Sequence, residues 1–230
     1  GRSIVWVKAH AGELGIDPGC LFLLGEAGGG HLALLAAYAP YLPAFQSFGN
    51  AQDLSVRGVI SIYGISDMEA FWHEYGRTNP LQPETSAEIR DELRPHLHDA
   101  SWMDRFLTKS RIFPAYRHAN MPGGPLLLIY LLGGTLSEVP QAYRLASPLA
   151  YVNAHCPPTL QIFDQYDFVI DASHGRRLHD VLRRAGVPSV YVEYPETVHA
   201  FDQYFGVSQR ISPSAQSAAK DIETFLALVG

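Results

Sequence analysis

Apolar residues at Ile4, Val7, Ala11 and Leu14 recur at helical spacing, and Gly15 follows as a stop signal. The pattern then changes. "IDPG" (Ile16 to Gly19) reads as a turn, and "CLFLL" (Cys20 to Leu24) is a short, wholly apolar run, as expected of a strand buried on both faces. Beyond a cluster of glycines, "HLALLAAYA" predicts a buried helix that halts at Pro40. "GVISIYG" (Gly58 to Gly64) predicts a second buried strand and "TLQIF" (Thr159 to Phe163) a third. "SVYVEY" alternates as a fourth. Asp171 is placed to cap a helix carrying Leu178, Val181 and Leu182 and closed by Gly186. Ser212-Pro213 opens a last helix, with Ile222, Phe225 and Leu226 facing inward.

The stretch from Ile65 to Ala154 breaks this rhythm. It is rich in Pro, Gly and aromatic residues and too long for a connection inside a compact domain, which predicts a functional insertion. Within it, "PLLLIYLLGG" could be strand or helix, and Pro125 and Gly133 at its two ends favour helix. The chain therefore divides into residues 1–64, an insertion over 65–154, and residues 155–230. Strands that alternate with helices imply βαβ units and a parallel sheet. Functional residues of such a sheet gather beyond the carboxyl ends of its strands. That points to Gly25–Gly30, Asp164–Asp167 and Pro195–Asp202.

Composition narrows the function classes. The chain has 230 residues, 47% hydrophobic and 17% charged, with a net charge of −6. This balance gives no reason to expect nucleic acid or an anionic membrane as partner. Arg176-Arg177 and Arg183-Arg184 read as a solvated helix face. Two cysteines, Cys20 and Cys156, are too few for a disulfide scaffold and are expected as two buried thiols. No run reaches the roughly 18 apolar residues of a membrane span. No signal peptide is visible, but the chain opens on Gly1 straight into a helical pattern, so this says little about compartment, and a cytoplasmic setting is only the default.

The three places hold, in order, a glycine turn, an acidic turn and a loop histidine. Ser, then Asp, then His is the chain order of the α/β-hydrolase triad. There a serine oxygen attacks an ester carbonyl, a histidine moves its proton, and a buried carboxylate fixes the histidine tautomer. "WVKAHAGELGIDP", "GEAGGGHLALLAAY", "LLGGTLSEVPQAYRLASPLAYV", "PPTLQIFDQYDFV" and "VHAFD" together resemble the esterase/lipase branch of the α/β-hydrolases, which includes hormone-sensitive-lipase-like and feruloyl- or acetyl-esterase-like enzymes. The resemblance runs over nearly the whole chain. It implies an α/β-hydrolase fold, mostly a parallel sheet flanked by helices. Residues 1–64 would be the half that carries the nucleophile turn, 65–154 a lid, and 155–230 the half that carries the acid and base loops.

The family turn is usually Gly-Glu/Asp-Ser-Ala-Gly-Gly-His. Here Ala27 takes the place of the serine and Gly28 that of the alanine. The resemblance implies Asp167 as acid, with Asp164 a competitor closer to the strand end, and His199 as base. It implies the N–H of Gly28 as an oxyanion donor. Phe71, Trp72, Tyr75, Trp102 and Phe106 are expected as lid core or as the wall of an acyl pocket. His31 is expected to pack or hydrogen-bond at the start of its helix. His96-x-His98 lacks a third ligand cluster, so no metal is expected, and no organic cofactor.

Two parts of the family's machinery are missing from the sequence. One is the serine. The other is an upstream segment of several strands and a His-Gly-Gly loop, so the first strand is expected as an uncovered edge. The expected function is a carboxylic-ester hydrolase scaffold of Ser-Asp-His type, inactive with Ala27 in place, whether that residue arose by design, by natural loss or by a misread base. The alternatives are a non-catalytic ligand-binding relative and, more remotely, a prolyl-oligopeptidase-type peptidase. The expected partner is a small ester or acyl ligand, with oligomerisation left open.

Overall fold

The computed structural model describes residues 1–42, 53–78, 128–129, 131–167, 169–202 and 212–230. Their contacts divide into two units, Gly1–Asp67 with Ser147–Gly230, and Met68–Ala146.

The first unit holds the sheet. Its strands are β1 (Phe22–Glu26), β2 (Gly58–Ile62), β3 (Thr159–Asp164) and β4 (Ser189–Tyr194). They lie in the order β1-β2-β3-β4, every neighbouring pair parallel, as the alternation of strand and helix predicts. The helices are α1 (Arg2–Ala9), α2 (Ala11–Leu14), α3 (Gly28–Tyr38), α6 (Ser173–Arg184) and α7 (Pro213–Val229). The helical period from Ile4 to Leu14 is broken once, at His10, and Gly15 closes α2 in the left-handed region at φ 66°.

Alternation along β2 assigns the two faces. Val59 packs in a core with Ala33, Leu34 and Ala37 of α3 and with Leu178 and Leu182 of α6. Gly58, one residue earlier, faces the other way, where Phe225 of α7 and Phe22 meet edge to face at 6.3 Å. Ser212 caps α7 by accepting a hydrogen bond from the Ala215 N–H at 3.1 Å. Asp171 accepts from the Ser173 N–H at 2.8 Å, ahead of α6.

Two expectations need correction. Every residue of β2 and β3 is buried, but β1 is only half-buried, with Leu24 53% exposed. Among the described residues β1 pairs with β2 alone, so it stands at the edge of this sheet, as the expectation of an edge strand has it. Cys156 is buried in the α3–α6 core, but Cys20 is exposed, because it sits in the turn ahead of that edge.

In the second unit, α4 (Met68–Thr78) and α5 (Pro140–Leu145) touch each other. Residues 128–129 and 131–132 are helical, in line with the helix reading of "PLLLIYLLGG". Glu138 accepts from both the Thr135 N–H and the Thr135 hydroxyl at 2.8 Å, which folds the "GTLSE" turn on itself. No helix is long and apolar enough to cross a membrane among the described residues.

Candidate active site

β1 ends at Glu26 and α3 begins at Gly28, so one residue makes the whole turn. Ala27 does so at φ 47°, ψ −117°. A residue with a Cβ avoids this backbone region, at a cost of roughly 1–3 kcal/mol. Two hydrogen bonds hold it: the Ala27 N–H donates to Ile62 O at 2.9 Å, and the His31 N–H donates to Ala27 O at 3.0 Å. Close packing also demands glycine at 25, where a Cβ would stand 2.2 Å from the carbonyl oxygen of Gly29. At Gly28 a Cβ would meet nothing within 4 Å. The Gly28 N–H lies in the first turn of α3, where N–H groups have no intrahelical acceptor. Ala27 itself ends in a methyl group and offers no attacking atom.

Non-glycine residues with positive φ mark the same end of the sheet. Among the described residues they are Ala27, Tyr63, Glu196 and Ala200. The first two follow β1 and β2, and the others lie in the loop after β4. Strain gathered in this way is typical of functional sites.

The turn after β3 is pinned to that loop. The Gln165 N–H donates to Tyr194 O and the Tyr166 N–H to Thr197 O, both at 3.0 Å. Asp167 follows with its side chain fully buried. Its Oδ1 accepts from the N–H groups of Val169 at 2.7 Å and Ile170 at 2.8 Å. Its Oδ2 meets His199 Nδ1 at 2.7 Å. With a carboxylate on that side, Nδ1 carries the hydrogen and Nε2 keeps the lone pair. The structure thus brings His199 to Asp167, not to Asp164.

Tyr63 carries the link back to the turn. It follows Ile62, the residue that accepts from Ala27, and its ring lies 4.7 Å from the His199 ring. Its hydroxyl donates to Asp202 at 2.6 Å, within the histidine loop. Neither Tyr63 nor Asp202 stands out in the sequence as a site residue. The only signals are a polar-tipped aromatic ending a buried strand and the acid that closes "VHAFD".

Asp164 adds a second carboxyl below this pair. It has no solvent exposure, and among the described residues neither oxygen has a hydrogen-bond partner. Burial first, then the negative charge of Asp167, pushes its pKa up to about 7. Burial pulls His199 down. The hydrogen bond and charge of Asp167, helped by Asp164 and Asp202, outweigh this and leave it above its ordinary value. The ligand atoms of Asp164, Asp167 and His199 lie within 4.8 Å of one another, a geometry that could hold a cation. His199 Nδ1 is already engaged by Asp167 at 2.7 Å.

The remaining expected residues fall elsewhere. His31 is buried in the first coil of α3. Phe71 and Trp72 lie on α4 in the second unit, Phe71 buried and Trp72 edge-on to Tyr143 at 5.6 Å. Trp102, Phe106, His96 and His98 lie outside the described residues, as does the side chain of Tyr75. Of the paired arginines, Arg176, Arg183 and Arg184 are exposed, and Arg177 is half-buried.

Comparison with known proteins finds similarity to esterases. The BD-FAE family model matches residues 1–96. The probable carboxylic ester hydrolase LipM of Mycobacterium tuberculosis is 29% identical over 229 residues, which is 99% of this chain and 42% of that protein. The esterase LipQ of the same organism is 26% identical over 94% of this chain and 41% of its own length. The chain therefore spans about two fifths of the curated relatives it matches. Among solved structures, an esterase from Thermogutta terrifontis with propionate bound superimposes with a TM-score of 0.61 at 17% identity, over 99% of this chain and 62% of that one. A truncated carbohydrate esterase from gut microbiota gives 0.63 at 19% identity, over 98% and 66%.

Proposed function

We propose that the chain is an esterase-like α/β-hydrolase carrying a Ser-Asp-His type site in which alanine stands at the nucleophile position, leaving a pocket that binds small esters or carboxylates without turning them over. One observation carries the reading. His199 is held by Asp167 at 2.7 Å, with its ring against the residue that follows Ala27's hydrogen-bond partner.

With serine at 27, the chemistry would be acyl transfer. His199 Nε2 would take the hydroxyl proton as the oxygen bonds to the ester carbon, and the Gly28 N–H would face the oxyanion. Collapse would break the carbon–oxygen bond to the alcohol, which leaves with the proton from His199. Water would then repeat the sequence and release the acid. With alanine at 27 the first bond cannot form. A water activated by His199 could attack in principle, but it is not tethered against the carbonyl, and that positioning supplies much of the rate.

The Thermogutta terrifontis structures hold propionate and butyrate, so short carboxylates are the ligands to try first. Calorimetry on the chain with Ala27 should show butyrate binding at millimolar concentration. A fluorophosphonate probe should leave the chain with Ala27 unlabelled. In the full gene product, Ala27→Ser should take up the probe at residue 27, read by mass spectrometry. A folded Ala27→Ser protein that stays unlabelled would remove Asp167 and His199 from these roles.

A further inference from the structure

We propose that Asp164 is a positioning residue of the site, a carboxylic acid that holds its proton beside Asp167 and sets the basicity of His199. The inference rests on reading Asp167 and His199 as the acid and base. It stands first on geometry. Two carboxyl groups and one imidazole place their polar atoms within 4.8 Å of one another. Three donors face Asp167: the N–H groups of Val169 and Ile170, and His199 Nδ1. Among the described residues neither Asp164 oxygen has a hydrogen-bond partner, and the residue is wholly out of solvent. Two neighbouring carboxyls in such a place do not ionise together in the acidic range; the second gives up its proton only at higher pH. The negative charge belongs where the donors are, and the proton belongs on Asp164.

The groups around it fix the direction of the pH response. Asp167 shares its turn. His199 and Asp202 approach from the loop after β4, and Tyr63 from the end of β2 holds Asp202. As pH rises and Asp164 loses its proton, a second negative charge arrives beside the imidazole and His199 becomes more basic. The acid and base then titrate as a coupled set, not as a lone histidine.

The carboxyl sits nearer pKa 7 when folded than its ordinary 3.8. Between these values the unfolded chain gives up a proton that the folded chain keeps, so stability falls as pH rises through this window and levels off above it. Removing the carboxyl should remove that slope.

The test uses the 230-residue chain, free of ligand. Carbon-13 NMR of the Asp164 carboxyl should give a midpoint in the neutral range. A midpoint near 4, the ordinary aspartate value, would overturn the proposal. In Asp164→Asn, nitrogen-15 NMR should show the His199 midpoint lowered, with its second inflection gone. An unchanged His199 titration in folded Asp164→Asn would also overturn it. The melting temperature of Asp164→Asn should exceed that of the unsubstituted chain at pH 8, and the gap should shrink by pH 4. Should Asp164→Asn not fold, the carboxyl midpoint of the unsubstituted chain still decides. Because none of these readouts involves turnover or probe labelling, failure here is distinct from failure of the ester-site reading.

Discussion

The turn at Ala27 and the corner at Asp167 and His199 stand at the carboxyl ends of one sheet, but they are specified in different ways. The turn is built from backbone. Its strain at φ 47°, its bond to Ile62 and its close approach at Gly25 use no side chain of residue 27. The corner is built from side chains. Asp167 takes three hydrogen bonds, His199 supplies one of them, and Tyr63 backs the imidazole. The methyl group of Ala27 therefore leaves both parts intact while offering no reacting atom. It follows that the two halves should respond oppositely to substitution. The turn should tolerate a new side chain at 27 and reject one at 25. The corner should fail with any change in its partners.

The largest effect tests the corner through the turn. In the full gene product carrying Ala27→Ser, Asp167→Asn should lower kcat/KM for a p-nitrophenyl ester by ~10³–10⁴-fold, because an amide favours the wrong imidazole tautomer. With Asp167 intact, the rate should rise with pH through a midpoint above 6.5, since His199 must be neutral to accept the proton and its pKa is raised. A midpoint below 6.5 would place the imidazole in a different environment.

How much of this is readable in advance follows the same division. The strands and their order are legible, because wholly apolar runs such as "GVISI" and "TLQIF" leave little choice in a parallel sheet. The pairing of Asp167 with His199 is legible through chain order and the motifs that resemble the esterases. The exposure of β1 is legible only as an expectation about a missing neighbour, since "CLFLL" alone reads as a central strand. Tyr63, Asp202 and the orphaned Asp164 are not legible as a group. Each depends on packing between segments more than 30 residues apart, and a lone tyrosine or aspartate at a strand end has no periodic signature. The aromatic residues of the insertion carry no sequence signal that chooses between core and pocket. Trp72 against Tyr143 gives one of them a packing partner in its own unit.

The next effect breaks the turn. Gly25→Ala should cost at least ~2 kcal/mol in urea denaturation, because the new methyl would stand 2.2 Å from the Gly29 carbonyl, and backbone, not a flexible side chain, must move. Melting unchanged by Gly25→Ala would show that α3 starts elsewhere. A smaller loss is expected at the join of the two regions. Tyr63→Phe keeps the ring against His199 but removes the 2.6 Å hydrogen bond to Asp202. A bond to a charged acceptor contributes about 1.5–3 kcal/mol, and denaturation should report a loss in that range. If ring and hydroxyl both serve to hold the loop, the His199 NMR signals should shift as well.

The smallest effect sits one residue from Ala27 and runs in the opposite direction. Gly28 stands where the family usually has alanine. A Cβ there meets nothing within 4 Å, and its φ does not fall in the left-handed region. The position opens α3, where glycine forfeits backbone entropy that alanine does not. Gly28→Ala should therefore stabilise the chain by roughly 0.5–1 kcal/mol, seen as a higher urea midpoint with an unchanged slope. The N–H remains in place, so labelling of Ala27→Ser by the fluorophosphonate should proceed equally with or without the added Gly28→Ala change. Destabilisation by Gly28→Ala would mean that the first turn of α3 needs a freedom only glycine has. The turn would then be fitted to its present sequence, not merely left over from a serine-bearing one.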